Sequence, residues 1–371
     1  MVHAKWSGMT RRRMLASLAA TGTALAQPNV DGAALRLART LVSVRFPELP
    51  PTTIQYAKVI LASTLASAAA GTRIGSARII RDLVKEQGGK PEARLWFDGA
   101  KLPANEAARA NAMLSDAAAS DDSDLRNVAH IGTCLTAVGL ALGERMGATG
   151  EDVLCAMVAG YEAAGRIAEA VTPPTEALSG SWGHGFHASV IVAFGGVVTA
   201  AKLLGLTAEQ MANAIGITAT TMGGLAIGTN SWAREYHAGN AALCAANAAL
   251  AAARGYTVNP DMLEAPRGFL AVFGGVSPNM ASFTRGLTED WQISRYLAIK
   301  LVPGAHALQP AVEAAIEASR QSGLEPEQVA KILVSGPQIR AVGSNRVPAD
   351  MVEAIHSLPY FLASAVADKD F

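Results

Sequence analysis

The helical character and the chemistry of this chain are both visible in one stretch, which begins with SWGHGFHASV (residues 181–190), continues through SWAREYHAGNAA (231–242) and ends with LEAPRGFLAVF (263–273). Of all residues, 50% are hydrophobic, yet this stretch places histidines and arginines among glycines and other small residues. Burying such polar groups without partners costs several kcal/mol. We therefore expect a small-molecule site for a negatively charged substrate. Its candidate residues here are His184, His187, Arg234 and His237.

Composition predicts a mainly helical protein. Aromatic residues make up only 5% of the 371 residues, and alanine supplies much of the apolar content. Alanine is the best helix former and lets helices pack closely, and this length suffices for two ordinary domains. Lys+Arg and Asp+Glu are both 31, and no basic stripe with interleaved aromatics occurs. Nucleic acid is therefore not an expected partner.

Helix signals continue over most of the chain. Thr207 has the character of a helix cap. A helix is predicted from Ala238 to Arg254, just after Arg234 and His237. An acidic loop is predicted from Asp121 to Asp124. Composition changes near Ser277, after which Gln309–Ser322 predicts a helix and Ala330–Ser335 a strand. We therefore expect a large all-helical domain over residues 27–276 and a smaller α+β domain over residues 277–371.

Residues 1–26 have the pattern of an export signal. Arg11, Arg12 and Arg13 precede a short apolar run that ends at Ala24-Leu25-Ala26, which is typical of the twin-arginine route. We expect a periplasmic protein, and a disordered leader on a cytoplasmic protein is the alternative. The run is too short to span a bilayer, and no later stretch is typical of a transmembrane helix, so no membrane partner is expected for the mature form.

A metal site is one alternative for these histidines. His184 and His187 have the spacing of two ligands one helical turn apart, but the glycines around them predict a loop. Three earlier residues would have to complete the site: Asp121, Asp122 and His130. Nothing in the sequence fixes their geometry, so we expect no metal. No nucleotide-binding glycine fingerprint occurs.

The motifs, taken in order, resemble the MmgE/PrpD family, which includes 2-methylcitrate dehydratase and cis-aconitate decarboxylase. The matching segments are the Asp121-Asp122-Ser123 loop with His130, then GEDVLCAMVAGYEAAGRI, GFHAS, AAKLLGLTAEQMANAIGI, YHAGNAA, LEAPRGF, Lys300-x-x-Pro303 and SLPYFLASAVAD. They cover nearly the whole chain after the leader.

The resemblance implies a site between the two domains, a homodimer, and chemistry on small di- or tricarboxylic acids without metal or organic cofactor. It places the family's site histidines on His130 and His187, its lysine on Lys300 and its late tyrosine on Tyr360. These four form the expected catalytic set. The expected substrate-binding set is Arg234, Ser123, Asp122, His237 and His184.

Four positions depart from the family pattern. Asp116 stands where histidine is usual, Ala119 where aspartate is common, Arg234 where lysine is frequent and Gln309 where histidine is frequent. Arginine keeps the positive charge but cannot act as an acid at neutral pH. The chain also stops at Phe371, earlier than relatives of this family, so we expect an exposed apolar face and poor solubility.

A dehydratase, an eliminating lyase, is the leading functional interpretation. An isomerase or decarboxylase on the same scaffold is the nearest alternative, because each also needs proton transfer beside a carboxylate. The departures from the family pattern leave a non-catalytic carboxylate-binding protein open. A metal-dependent hydrolase is the third alternative.

Overall fold

The computed structural model describes residues 31–126, 128–171, 185–274, 278–336 and 347–370. The predicted export signal and His184 lie outside these ranges. Among the described residues, no helix combines the length and apolar character needed to cross a membrane.

The described chain is built mainly from α-helices, which confirms the predicted fold class. The helices of the first half are α1 (Ala33–Ser43), α2 (Pro51–Gly71), α3 (Gly75–Gln87), α4 (Ala104–Ala117), α5 (Ile131–Met146) and α6 (Gly150–Val171). Those that follow are α7 (Ser189–Leu203), α8 (Ala208–Thr221), α9 (Ala233–Ala252), α10 (Phe269–Phe273), α11 (Gln292–Tyr296), α12 (Gln309–Ser322), α13 (Met351–Ala354) and α14 (Leu358–Asp368).

Two antiparallel ribbons and several 3₁₀ turns complete the described elements. Strand β1 (Ala93–Arg94) pairs with β2 (Lys101–Leu102), and β3 (Asp122–Asp124) pairs with β4 (Leu297–Ile299). The 3₁₀ turns are Phe46–Glu48, Ala226–Asn230, Met280–Phe283, His306–Leu308 and Pro326–Gln328. The second ribbon joins segments that are far apart in sequence, and it holds the candidate site.

The core is centred on α6 and α7. Every residue of α6 from Cys155 to Val171 is buried, as are all residues of α7 from Ser189 to Ala201. A helix buried on all sides is apolar or small at most positions, and the alanines and glycines of these two helices fit that pattern. The charged side chains buried in α6 are paired instead, as Glu162 is with Arg166. Helix α7 packs against α5, α6 and α9, and α4 packs against α2, α5 and α9.

Helix α8 shows the predicted cap at its start. The Thr207 side chain accepts a hydrogen bond from the Gln210 backbone N–H at 3.2 Å, and the Gln210 side chain accepts one from the Thr207 N–H at 3.0 Å. This reciprocal capping box satisfies two N–H groups that the helix cannot pair internally. The cap prediction is confirmed.

Three local predictions were wrong. Helix α9 begins at Ala233 rather than Ala238, because Arg234 and Glu235 are good helix formers in their own right. The acidic segment is not a loop throughout, since Asp122 to Asp124 form β3. Residues 330–335 form no strand, and most of them are exposed; no described segment pairs with them, and a strand is stable only when its backbone groups find a neighbour.

The later part of the chain has a small core of its own. Val302, Leu308 and Val312 pack with Phe361 and Ala365, which joins α12 to α14. This cluster is separate from the large core formed by the helices up to α11. The predicted division of the chain near residue 276 stays a prediction.

Close approach of α6 and α7 depends on Gly160. A methyl group at this position would lie 2.2 Å from Thr199 Oγ1 and 2.5 Å from the Gly195 carbonyl oxygen. We therefore expect Gly160→Ala to lower the free energy of unfolding by about 1–3 kcal/mol, the usual cost of overpacking. Urea denaturation measures it.

Gly150→Ala in the same helix is the matched control. A methyl group at Gly150 meets no atom within 4 Å, and alanine is the better helix former, so this variant should lose no stability. Equal losses in the two variants would contradict the packing explanation.

Candidate active site

The β3–β4 ribbon brings Asp121 and Lys300 together. In its antiparallel register Asp122 lies opposite Ile299, so the residue before β3 meets the residue after β4. The Lys300 Nζ lies 3.1 Å from Asp121 Oδ1, and both side chains are almost completely buried. A buried ion pair of this kind holds two segments in a fixed relation, since separating it leaves an unpaired buried charge.

Ala119 supplies a second contact to the same lysine. Its carbonyl oxygen accepts hydrogen bonds from Lys300 Nζ at 3.1 Å and from the Gly304 backbone N–H at 2.9 Å. Ala119 has a φ of 50°, in the left-handed region that costs a non-glycine residue free energy. Such strain is found at functional sites where surrounding contacts hold it in place.

Asp121 is the negative centre of a buried polar cluster that also contains Lys300, Thr133 and His130. Thr133 Oγ1 donates to its Oδ2 at 2.6 Å, and His130 Nδ1 lies 3.5 Å from the same oxygen. Burial by itself would raise the Asp121 pKa, but the nearby His130 and Lys300 and the Thr133 hydrogen bond lower it below its usual value. Asp121 is therefore ionised at neutral pH.

His130 is held as a proton acceptor. Its Nδ1 lies 2.6 Å from the Asp122 carbonyl oxygen, and because a carbonyl can only accept, Nδ1 carries the proton and Nε2 has the free lone pair. Burial, reinforced by the charge of Lys300, lowers the His130 pKa, and Asp121 opposes this shift. The ring is neutral at pH 7.

Asp122 is held in the opposite protonation state to Asp121. It is fully buried, its Oδ2 accepts from the Gly132 N–H at 3.0 Å, and its Oδ1 has no hydrogen-bond partner among the described residues. Burial and then the charge of Asp121 raise the Asp122 pKa to about 8. At neutral pH Asp122 is mostly a neutral acid. The buried Ser123 hydroxyl beside it likewise has no described partner.

His187 has the tautomer opposite to that of His130. The Ser189 backbone N–H donates to His187 Nδ1 at 3.2 Å, so Nδ1 is the acceptor and the proton of the neutral ring is on Nε2. The His187 and His237 rings lie 5.0 Å apart. Burial, and then the charges of His237, His130 and Arg234, lower the His187 pKa to about 3. His187 therefore offers a hydrogen-bond donor.

The guanidinium of Arg234, a residue of α9, lies at the C-terminus of α4. Its Nη2 donates to the Asp116 carbonyl oxygen at 2.6 Å, and Nη1 lies 3.6 Å from Asp116 Oδ2. A cation is stabilised there by the helix dipole. Asp116 Oδ2 and Arg234 Nε have no hydrogen-bond partner among the described residues. The guanidinium therefore keeps unused hydrogen-bonding capacity, but its charge is shared with Asp116.

Two further histidines belong to the same region. His356 is 7% exposed, and burial followed by the charge of Arg234 lowers its pKa to about 4. Burial and the charges of Lys300 and His130 lower the pKa of His306. Sequence reasoning missed both, because no spacing marks them. The only signal is their position, His306 just after the Lys300-x-x-Pro303 motif and His356 just before SLPYFLASAVAD.

Tyr360 is not brought to this cluster. Its side chain is 45% exposed, and its ring packs at 5.8 Å from Phe361. No described hydrogen bond joins its hydroxyl to the histidines or to Lys300. The catalytic assignment of Tyr360 stays a prediction from the family resemblance.

Asp116, Asp121 and His130 offer ligand atoms that all lie within 4.8 Å of one another. This set differs from the metal site considered as an alternative from the sequence, which included His184 and His187. The two carboxylates already face cations, since Lys300 pairs with Asp121 and Arg234 with Asp116. A divalent ion could bind these carboxylates only by displacing the two ion pairs, and each displaced cation would be left buried without its partner.

An open cavity of about 460 Å³ borders the site on the side of His237. It lies between residues 223–228 and the first turns of α9. His187 is tied to the same loop, because its backbone N–H donates to the Gly224 carbonyl oxygen at 3.0 Å. The cavity is large enough for a small carboxylic acid.

Comparison with known proteins gives one family. Residues 35–280 match the sequence model of the MmgE/PrpD N-terminal domain, which is more than half of the chain. No curated protein has a significant match. The matched range contains His130, His187 and Arg234, and it ends before Lys300.

We expect Asp122→Asn to change the pH dependence of stability. Folding raises the Asp122 pKa from its ordinary 3.8 to about 8, so between these values the folded state binds a proton that the unfolded chain has lost, and stability falls as pH rises. Asparagine removes this loss. The variant should gain on the wild type by roughly 1 kcal/mol or more between pH 5 and pH 8, measured by urea denaturation.

Asp152→Asn is the control for that experiment. Hydrogen bonds from the Thr149 side chain and backbone lower the Asp152 pKa, so this group stays ionised from pH 5 to pH 8. Its substitution should shift stability by the same amount across that range. A constant difference for Asp122→Asn as well would contradict the assigned protonation state.

Proposed function

The chain belongs to the MmgE/PrpD family, and we propose that it is a cofactor-independent lyase that removes water from a small di- or tricarboxylic hydroxy acid of the 2-methylcitrate type. Family membership supports an enzyme of the dehydratase or lyase type in general. The observation that supports this reaction most directly is the pair of neutral histidines with opposite tautomers, His130 and His187, of which His130 lies beside the buried Lys300–Asp121 pair.

His130 is the proposed base. Its free Nε2 takes the proton from the carbon beside a substrate carboxylate, and its neutral form at pH 7 keeps it ready to do so. The negative charge that develops on that carboxylate is stabilised by the Lys300 ammonium group, which is fixed in place before the substrate arrives.

His130 also returns the proton in the remaining steps. As the C–O bond to the hydroxyl breaks, the electron pair of the former C–H bond forms the carbon–carbon double bond. The departing hydroxide takes the proton from His130 and leaves as water. His187, whose Nε2 carries a proton, donates a hydrogen bond to the departing oxygen without changing its own protonation state.

Two cations, rather than a net positive charge, support the proposed substrate class. With the histidines and Asp122 neutral, the cluster contains two cations, Lys300 and Arg234, and two anions, Asp121 and Asp116. Arg234 keeps an unpaired Nε and is the proposed partner of a second substrate carboxylate. The neighbouring His237 and Ser123 supply further polar contacts in this proposal, and Asp122 supplies a neutral hydroxyl.

The assembly and location are proposed on sequence grounds. We propose a homodimer, because the family resemblance implies one, and export by the twin-arginine route, because of the arginines at residues 11–13. Sedimentation of the purified protein checks the first. The N-terminal sequence of protein recovered from periplasm checks the second.

The test is conversion of hydroxy and unsaturated di- and tricarboxylic acids in D₂O, followed by NMR with and without chelator. We expect chelator-resistant loss of water or deuteration beside a carboxylate. His130→Gln and His187→Gln should each lower the rate, the former by about 100-fold or more, because it removes the proton-transferring group.

Tyr256→Phe, at an exposed residue beyond α9, is the activity control. Near-full turnover in both histidine variants would overturn the mechanism. Deuteration without loss of water would favour an isomerase, and release of carbon dioxide a decarboxylase. Binding without any conversion in a folded sample would leave a carboxylate-binding protein, and loss of activity with chelator would favour a metal-dependent enzyme.

A further inference from the structure

We propose that His356 is the residue that recognises the substrate's hydroxyl group, by accepting a hydrogen bond from it at Nε2. The inference rests on the proposed function, since it concerns the same site and a hydroxy acid substrate. His356 has no place in the expected catalytic or binding sets, and backbone hydrogen bonds connect its segment to the carbonyl that binds Lys300.

The ring of His356 is fixed by its own turn of helix. Its Nδ1 lies 2.9 Å from the Val352 carbonyl oxygen, and because that oxygen can only accept, Nδ1 carries the proton. Nε2 therefore has the lone pair, and it has no hydrogen-bond partner among the described residues. That lone pair is available to accept a hydrogen bond from a ligand hydroxyl.

The segment that contains His356 is anchored to the strained part of the site. The Ala305 N–H donates to the Ile355 carbonyl oxygen at 3.0 Å, and the neighbouring Gly304 N–H donates to the Ala119 carbonyl oxygen at 2.9 Å. Two hydrogen bonds thus connect the residue before His356 to the carbonyl that also binds Lys300. The position of His356 relative to Lys300 is therefore set by backbone.

At Gly304 the backbone lies very close to the backbone of Ile355. Its φ of 107° is in a region that side chains rarely adopt, and a methyl group there would lie 2.4 Å from the Ile355 carbonyl oxygen. Only glycine satisfies both demands. The chain therefore keeps a close, fixed contact at the residue next to His356.

The surroundings of His356 suit a hydroxyl rather than a carboxylate. Besides burial, the charges of Arg234, Lys300 and His130 lower its pKa, while its bond to Val352 opposes them. The ring stays neutral, and a neutral acceptor repels a carboxylate oxygen. The cations beside it can bind the carboxylates while His356 accepts from the hydroxyl between them.

The experiment compares two ligands that differ only in the hydroxyl. Citrate and tricarballylate have the same three carboxylates, and only citrate has a hydroxyl group. Calorimetry on the wild type should show tighter binding of citrate by about tenfold, which corresponds to one buried hydrogen bond.

Two variants of His356 distinguish the roles of its two ring nitrogens. In His356→Asn the amide N–H can still donate to Val352, but nothing replaces Nε2. In His356→Gln the amide oxygen reaches the position of Nε2. We expect His356→Asn to bind the two acids equally, with its affinity for tricarballylate unchanged, and His356→Gln to keep part of the preference for citrate.

Ser319→Ala is the matched control. Ser319 is buried in α12 and donates to the Val366 carbonyl oxygen at 3.2 Å, so its loss perturbs the packing of α14 and leaves the histidine cluster untouched. It should keep the wild-type preference for citrate, whereas loss of that preference would assign the His356 effect to folding.

The outcomes distinguish the two proposals. Wild-type protein that binds neither acid overturns the carboxylate site and the role of His356 with it. Equal binding of both acids by the wild type, an unchanged preference in His356→Asn, or equal weakening of both ligands in that variant overturns the role of His356 alone.

A measurement on the wild type covers the case in which neither variant folds. In ¹⁵N-histidine spectra, an unprotonated Nε2 signal should shift with citrate and not with tricarballylate. Identical changes with both acids would overturn the proposal.

Discussion

The buried ion pair between Lys300 and Asp121 is the interaction on which the candidate site depends. The two residues are far apart in sequence, and the pair fixes where the β3–β4 ribbon ends. Removing two charges from water is costly, and the attraction between them offsets that cost only when other hydrogen bonds complete the arrangement. Here Thr133 and the Ala119 carbonyl oxygen supply those bonds.

This constraint extends to the neighbouring carboxylate. Because Asp121 stays ionised, its charge adds to burial in keeping Asp122 protonated. Two adjacent aspartates with the same chemistry thus exist in different states, set by environment alone. The arrangement thus holds a negative charge, a neutral acid and a cation close together. In water both aspartates would be ionised at neutral pH.

The histidines obtain their chemistry from backbone groups, two of them at helix ends. The Asp122 carbonyl of β3 fixes the proton of His130 on Nδ1, an N–H at the start of α7 fixes the proton of His187 on Nε2, and a carbonyl of α13 fixes His356. Helix ends carry the backbone groups that the helix cannot pair internally. A helical fold therefore offers many such groups. In this site backbone groups determine which nitrogen of each ring donates and which accepts.

The sequence by itself determined the helical class, the extent of α12 and the cap of α8, because helix formation follows from local propensity and caps. The family resemblance supplied the candidate site residues, of which the structure brings Asp121, His130 and Lys300 together. The sequence did not reveal that residues 330–335 lack a strand partner, since strand pairing depends on segments distant in sequence. It also missed His306 and His356, which no motif marks. Only the tertiary structure decided the tautomers, the protonation of Asp122 and the pairing of Arg234 with Asp116. Each depends on burial and on contacts between residues far apart in the chain, which no local pattern of residues encodes.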